Sequence, residues 1–446
     1  MTATSTVTLV PASEDILETA AHYLIDHAAE LPDLSRCVVL LPDLQFAPRL
    51  RRQLLLAVAS RGHSALLGPV ISTPDTWLRD HITIERDVPG RARRELLLVE
   101  VLKQHPGVLP GSDPWSLAAS LVTLFDELTL NRVPVPDDLE AFTQRLRNAY
   151  GIDAHLPEPL GMEARMVHTL WLAWHEELQA SSSLDPGMAH LQRLSAHRDT
   201  DDGLHYCLVG FDDLSAAETE WLGALLESGR AACLAYCSAT AVTTDSPHPF
   251  QALLHSAAKN STETTPFDQV LDAVFEPDTR PAPERARALR ESLTGSPLAD
   301  RLRLFPAGSA EQEAHAIDLR VRQWLLDGVQ PVGIVTEDRR LARRLRALLE
   351  RAGVSLQDSG GWALSTTSAA AAMERWLETV EEDFDHLPLL DVLKSPFVFP
   401  DEDREQLRNT VFRLEQDVVL HENIGRGLSR YRRHIELRQQ RLPDGW

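Results

Sequence analysis

The chain has 446 residues, and 43% of them are hydrophobic, which is ordinary for a globular protein of about two to four domains. Its formal net charge of −22 argues against indiscriminate binding to nucleic acid, because phosphate contacts supply most non-specific affinity. No apolar run is long enough to cross a bilayer, and residues 1–10 lack the basic and apolar regions of a secretory signal. We therefore expect a cytoplasmic protein without membrane contact.

The first two thirds of the sequence alternate short apolar runs with amphipathic helical patterns. The predicted strands are residues 6–10, 37–41, 70–74, 206–214 and 231–236. Between the third and fourth of them, residues 90–197 have the pattern of long helices. Alternating strands and helices are typical of a parallel sheet. The sequence therefore predicts an α/β domain with a helical insertion.

Residues 302–364 repeat the alternation. Strands are predicted at residues 302–305 and 332–335, with a third extended segment after Gly353. Ser309 and Gln312 form a capping-box pattern at the start of the first helix, and Gly360-Gly361 closes the unit. Residues 403–441 are predicted to be helical and charged. A second parallel sheet is expected from this pattern.

The lysines of the chain exclude an ordinary phosphate-binding loop. They are Lys103, Lys259 and Lys394, and they follow Leu102, Ala258 and Leu393. The motif G-x-x-x-x-G-K-[ST] needs glycines for close approach of the backbone to phosphate and a lysine for the terminal phosphates. No lysine here follows a glycine, and the turn after the first predicted strand, residues 11–14, has neither residue type. We expect no conventional ATP site.

The cysteines are predicted to be buried rather than metal-binding. Cys37, Cys207, Cys233 and Cys237 lie in or beside apolar runs, where cysteine acts as a small hydrophobic residue. The pair Cys233 and Cys237 has no second cysteine or histidine pair at the spacing of a zinc site. No metal site is predicted.

The elements resemble those of one helicase family in their order. The residues that carry the resemblance are 38–42, 117–128, 184–186, 209–212 and 302–361. The chain is similar to AddB/RexB-type subunits of the AddAB helicase–nuclease, whose helicase-like part has the UvrD-like, superfamily 1 fold. The resemblance implies RecA-like parallel-sheet domains. It assigns residues 1–89 and 198–280 to an inactive first domain, 90–197 to its helical insertion, 281–395 to a partial second domain and 396–446 to the start of a truncated helical insertion.

The resemblance also implies a role in repair of double-strand breaks by homologous recombination. In such a complex the chain would hold DNA, as single strands or broken ends, beside an AddA-type helicase–nuclease subunit. The family's PD-(D/E)xK nuclease, with its magnesium sites and iron–sulfur cluster, would lie downstream. The residues two before the lysines are Val101, Ala257 and Val392, so the acid-x-Lys half of that motif is missing. We predict no catalytic residue and no cofactor in this chain, which is either a fragment or a protein that has lost the nuclease.

Two groups of residues are candidates for function. Arg339, Arg340, Arg343 and Arg344 make one helix basic and are candidate contacts for the phosphates of single-stranded DNA. The alternative is a solvated face paired with nearby acids such as Glu350. Asp212 and Asp213 occupy a degenerate Walker B-like position, where active motors hold magnesium, and the alternative there is a pair of acids that ends a strand.

Three functions remain open at this point. The first is an ATPase-dead, helicase-like scaffold that binds DNA in a complex for break processing. The second is a protein-interaction scaffold that neither binds DNA nor catalyses a reaction, which the acidic charge and missing nuclease favour. The third is an ATP-dependent helicase with an unorthodox phosphate loop, which the positions of the lysines disfavour.

Overall fold

The computed structural model describes residues 7–104, 113–152, 158–237, 250, 252–254, 265–275, 280–299, 301–329, 331–361, 364 and 367–441. The chain divides into two compact units, Met1–Leu304 and Phe305–Trp446. This division lies later in the chain than the boundary expected at residue 281.

A five-stranded, all-parallel sheet forms the centre of the first unit. Its strands are β1 (Val7–Pro11), β2 (Cys37–Leu40), β3 (Val70–Ser72), β4 (His205–Val209) and β5 (Ala231–Cys237). They lie in the order β1-β5-β4-β2-β3. The predicted α/β class and all five predicted strands of this unit are confirmed. The fourth strand is shorter than predicted, because the chain leaves the sheet at Gly210 with a φ of 76°.

Helices cover both faces of this sheet, as apolar parallel strands require. The helices of the unit whose bounds the structure describes are α1 (Ile16–Asp26), α2 (Ala47–Ser60), α3 (Pro74–His81), α4 (Arg91–Gln104), α5 (Pro114–Leu130), α6 (Leu139–Ala149), α7 (Glu158–Ala180), α8 (Pro186–Arg198), α9 (Ala216–Glu227), α10 (Pro266–Phe275) and α11 (Ala282–Ser292). Helices α1 and α2 pack on one face, and α3, α8 and α9 pack on the other. The buried thiols of Cys37, Cys207 and Cys233 belong to these cores, as predicted, whereas the side chain of Cys237 is outside the described residues.

Helices α4 to α8 lie between β3 and β4 in the chain, in the region where the sequence predicts long helices. Helices α4, α5 and α7 share an apolar core of their own, which includes Leu98, Phe125 and Leu170. This core explains why the insertion can fold without strands of the sheet.

One guanidinium is buried inside the insertion. Arg94 donates to both carboxylate oxygens of Asp126, at 3.0 and 2.8 Å, and lies 3.7 Å from Asp185. The indole N–H of Trp174 donates to Asp185 at 2.9 Å, and the guanidinium lies over the indole ring. Asp185 also caps α8 by accepting from the backbone of Gly187. Asp126 and Asp185, through these contacts, link the helices α4, α5, α7 and α8.

The regular secondary structure in the described part of the second unit is helical. It contains α12 (Ala310–Leu326), α13 (Arg339–Arg351), α14 (Ser368–Glu381), α15 (His386–Lys394), α16 (Arg404–Arg413), a π-helical segment (Leu414–Leu420) and α17 (Leu428–Arg441). Ala314, Leu341 and Leu345 join α12 to α13, and a separate cluster around Val418 and Tyr431 joins the last helices. The predicted helical character of residues 403–441 is confirmed.

The second predicted sheet is wrong for the described residues. Residues 302–305, 332–335 and the segment after Gly353 belong to no strand. A strand needs a neighbour that accepts its backbone hydrogen bonds, and short apolar runs do not supply one by themselves. Ile334 packs instead against α12 and α13, whereas the side chain of Val335 is 99% exposed.

Candidate functional site

The carboxyl ends of the parallel strands form the edge at which open α/β sheets bind their ligands. Four described turns of the first unit begin there. They follow β1, β2, β3 and β4, and they lead into α1, α2, α3 and α9. The predicted pair Asp212 and Asp213 belongs to the turn after β4.

The turn between β1 and α1 forms hydrogen bonds with a carboxylate of the same chain. The backbone N–H of Ser13 donates to Asp268 Oδ1 at 3.2 Å, and the Ser13 hydroxyl donates to Asp268 Oδ2 at 3.3 Å. In a phosphate-binding loop, backbone N–H groups of this turn point at phosphate oxygens. Here one of those N–H groups donates to one oxygen of an aspartate, and the hydroxyl of the same serine donates to the other.

Asp268 is held in place by the start of its own helix. It lies in the first turn of α10, and Thr265 just before that helix exchanges reciprocal hydrogen bonds with it, at 2.9 and 3.2 Å. The residue is 3% exposed. Burial by itself would raise the pKa of Asp268, but the hydrogen bonds from Thr265 and Ser13 outweigh it and lower the pKa. The carboxylate therefore stays charged at neutral pH.

The backbone N–H groups at the start of α1 also have hydrogen-bond partners within the chain. Asp15 caps the helix by accepting from the backbone N–H of Leu17 at 3.1 Å, and its other oxygen accepts from Arg49 at 2.7 Å. The hydroxyl of Tyr236, on β5, interacts with the backbone N–H of Ile16. Backbone donors at Ser13 and Leu17 are thus bound to the protein's own oxygens.

The predicted acidic pair is an exposed strand end. Asp212 and Asp213 are both exposed, and Asp213 accepts from the backbone N–H of Leu214 at 2.8 Å. Across the described part of the chain, no group of three or more histidine, cysteine, aspartate or glutamate residues is arranged to hold a metal ion. The geometry fits the reading of this pair as acids that end a strand.

A buried histidine bridges two other turns of this edge. His190, on α8, lies 3.2 Å from Glu218 Oε1 and 3.6 Å from Asp75 Oδ1, the second being an ion-pair distance rather than a hydrogen bond. Burial by itself would lower the pKa of His190, but the two carboxylates raise it to about 9. His190 is therefore an imidazolium at neutral pH that ties α8 to α3 and α9. Sequence reasoning missed it, because its partners lie on elements that only the fold brings together.

The predicted basic helix is α13 of the second unit. Two of its four candidate arginines form ion pairs with acidic residues of the same unit. Arg339 donates to both oxygens of Asp358, at 3.1 and 3.0 Å, and to the carbonyl of Gly361 at 2.8 Å. A Cβ on Gly360 would meet this guanidinium, and Gly361 has a φ of 60°, a conformation that favours glycine. Arg344 pairs with Glu311 on α12.

The other two arginines remain available on the surface. Arg340 and Arg343 are exposed and take part in no ion pair with any residue that the structure describes. The predicted local pairing is found at Arg346, which lies 2.7 Å from Glu350. Of the four predicted DNA contacts, the structure therefore leaves Arg340 and Arg343 as the pair free to meet a phosphate.

The sequence matches no protein-family model, and no curated protein matches it either. Within the described residues, no helix combines the length and apolar character needed to cross a membrane.

Proposed function

We propose that this chain is a catalytically silent relative of superfamily 1 helicases, which contacts single-stranded nucleic acid and serves as the non-motor subunit of a complex that processes DNA double-strand breaks. The observation that carries the silent assignment is the contact of Ser13 with Asp268. Asp268 is hydrogen-bonded to the turn at which an active motor would bind phosphate. None of the three lysines of the sequence belongs to that turn.

The arrangement of the first unit supports the comparison with a motor domain. Its sheet is wholly parallel, a long helical insertion separates β3 from β4, and the acidic pair Asp212 and Asp213 follows β4. The RecA-like assignment and the AddB-type role remain parts of this proposal, together with a partner subunit of the AddA type.

We expect Mg–ATP to leave the melting temperature of the protein unchanged. A ligand that binds the folded state raises that temperature by mass action. The backbone donors at Ser13 and Leu17 are already bound to Asp268 and Asp15, and no lysine of the sequence follows a glycine as a phosphate loop requires. Thermal unfolding with and without millimolar Mg–ATP and Mg–ADP measures this. A dose-dependent rise would favour the third function, a helicase with an unorthodox phosphate loop.

The nucleic-acid part of the proposal concerns Arg340 and Arg343. For single strands, the logarithm of the binding constant falls with the logarithm of salt concentration by about 0.7 per phosphate contact. The double variant Arg340→Gln/Arg343→Gln is therefore expected to reduce this slope by about 1.4 and to weaken binding about tenfold at low salt. Fluorescence anisotropy of a labelled oligothymidine across a salt series gives both quantities.

The matched control is Arg432→Gln/Arg433→Gln. These two arginines are exposed on α17 of the same unit, so the control removes the same charge from a different helix. It should leave the slope close to that of the natural chain. Equal losses in both variants would show a diffuse charge effect, and no measurable binding by the natural chain would leave the interaction scaffold as the better function.

A further inference from the structure

Helix α14 presents a row of large apolar side chains to solvent. Met373, Trp376, Leu377 and Val380 follow the spacing i, i+3, i+4, i+7, which places them on one face of a helix. Their side chains are between 52% and 67% exposed. We call these four residues the α14 stripe. Contiguous exposed apolar surface of this kind usually marks a site of interaction.

The stripe is not the face by which α14 is attached to its own unit. The helix packs against α15, and Thr379, on the attached side, is fully buried. Its hydroxyl donates to the carbonyl of Arg375 at 2.6 Å, so that side needs no further partner. The fold therefore uses the small and polar side of α14 internally and leaves its most hydrophobic side uncovered.

Charge along the stripe indicates what can cover it. Helical geometry places Glu374 and Glu381 along one edge of the stripe. Neither forms an ion pair with a described residue, whereas Glu378 is paired with Arg375. A partner that covers the stripe must bring these two carboxylates close to its own surface, so basic side chains there would be favourable.

The same charges disfavour antiparallel pairing of the stripe with that of a second copy of this chain. Two α14 helices that met stripe to stripe in antiparallel orientation would place the acidic edge of one along the acidic edge of the other. Glu374 of one copy would then face Glu381 of the other, and like charges across an interface cost free energy.

We propose that the α14 stripe binds an amphipathic helix of a partner protein. Apolar residues of that helix at the i, i+3, i+4, i+7 spacing would cover the stripe, and lysine or arginine residues along one edge would meet Glu374 and Glu381. The inference goes beyond nucleic-acid binding and does not depend on it, because no residue of the stripe belongs to α13.

Three synthetic peptides and the full-length chain test this proposal. The first is an amphipathic helix with a leucine stripe and lysines along one edge. The second carries glutamates instead of those lysines, and the third is a scrambled form of the first, without the stripe. Anisotropy of the labelled peptides should show that the lysine peptide binds at least about tenfold more tightly than the other two.

Variants of the chain test whether the lysine peptide binds at the α14 stripe. Trp376→Ser/Leu377→Ser should weaken binding of the lysine peptide by about tenfold or more, since buried aromatic anchors dominate such contacts. Phe412→Ser, which removes an exposed apolar side chain from α16, should not weaken it. Glu374→Gln/Glu381→Gln should abolish the preference for lysine over glutamate. Arg340→Gln/Arg343→Gln should leave peptide binding unchanged, which separates this surface from the proposed nucleic-acid contact.

Other outcomes would overturn the proposal. Equal binding of the lysine and scrambled peptides would show attraction to the acidic chain as a whole. Equal binding by the natural chain and by Trp376→Ser/Leu377→Ser, with circular dichroism showing both folded, would place any binding elsewhere. A natural chain that sediments as a dimer, and that this double variant makes monomeric, would show that a second copy covers the stripe.

Discussion

Replacing Arg94 with methionine is expected to lower the free energy of unfolding of the first unit by about 3–5 kcal/mol. The side chains of Arg94 and Asp185 are 4% and 5% exposed, so the change leaves buried negative charge without its partner. Methionine retains most of the length and apolar stem of arginine, which limits the loss of packing. Urea denaturation followed by circular dichroism measures the change.

The control for this experiment is the adjacent residue. Arg93 also pairs with an aspartate, Asp87, at 2.8 Å, but the two side chains are 54% and 61% exposed. Exposed pairs contribute about 0–1 kcal/mol, so Arg93→Met should change stability by no more than that. If both variants lost the same small amount, the buried cluster would not be the tie that holds α4, α5, α7 and α8 together.

The sequence was sufficient for the sheet of the first unit, because its strands are short apolar runs bounded by helix starts. β2, for instance, is buried at all four positions, as expected of a central parallel strand. The same reasoning failed for residues 332–335, which have a similar composition. Whether an apolar run becomes a strand depends on a neighbour that pairs with it, and hydrophobic pattern does not contain that information.

For the candidate site, the expectation of no conventional ATP site comes from the sequence and stays a prediction. The lysine positions and the glycine-free turn at residues 11–14 were enough to argue against an ATP site. The Thr265 and Asp268 spacing is a recognisable capping pattern, but its contact with Ser13 joins residues 255 positions apart. In the same way, the six arginines of α13 looked equivalent in sequence, and tertiary ion pairs to Asp358 and Glu311 distinguish them.

Helix α8 carries a second buried histidine, whose pKa is shifted in the opposite direction to that of His190. His197 lies about two turns further along, at the amino ends of the strands. Its Nδ1 accepts from the indole N–H of Trp221 at 3.0 Å, so the ring proton lies on Nε2, which is 2.8 Å from the Tyr206 hydroxyl. The Tyr206 hydroxyl in turn donates to Asp202. Burial is the largest cause that lowers the pKa of His197, to about 4.

The two histidines are expected to limit stability at opposite ends of the pH range. Between pH 6.5 and about 4, the unfolded chain binds a proton at His197 that the folded chain excludes, so stability falls as pH falls. Between pH 6.5 and about 9, the folded chain keeps a proton on His190 that the unfolded chain has lost, so stability falls as pH rises.

The two limbs have a similar expected size, because the pKa of His190 is raised and that of His197 lowered by similar amounts; on the acid limb, protonation of His197 breaks its bond from Trp221. We expect the natural chain to lose about 2 kcal/mol through this residue between pH 7 and pH 4. His197→Asn retains an uncharged acceptor near Trp221, so it should be less stable at pH 7 but should lose less on acidification. Urea denaturation at several pH values measures both slopes. His190→Gln should keep the acid slope and remove the alkaline one, and a variant at His197 with an unchanged acid slope would contradict the assignment.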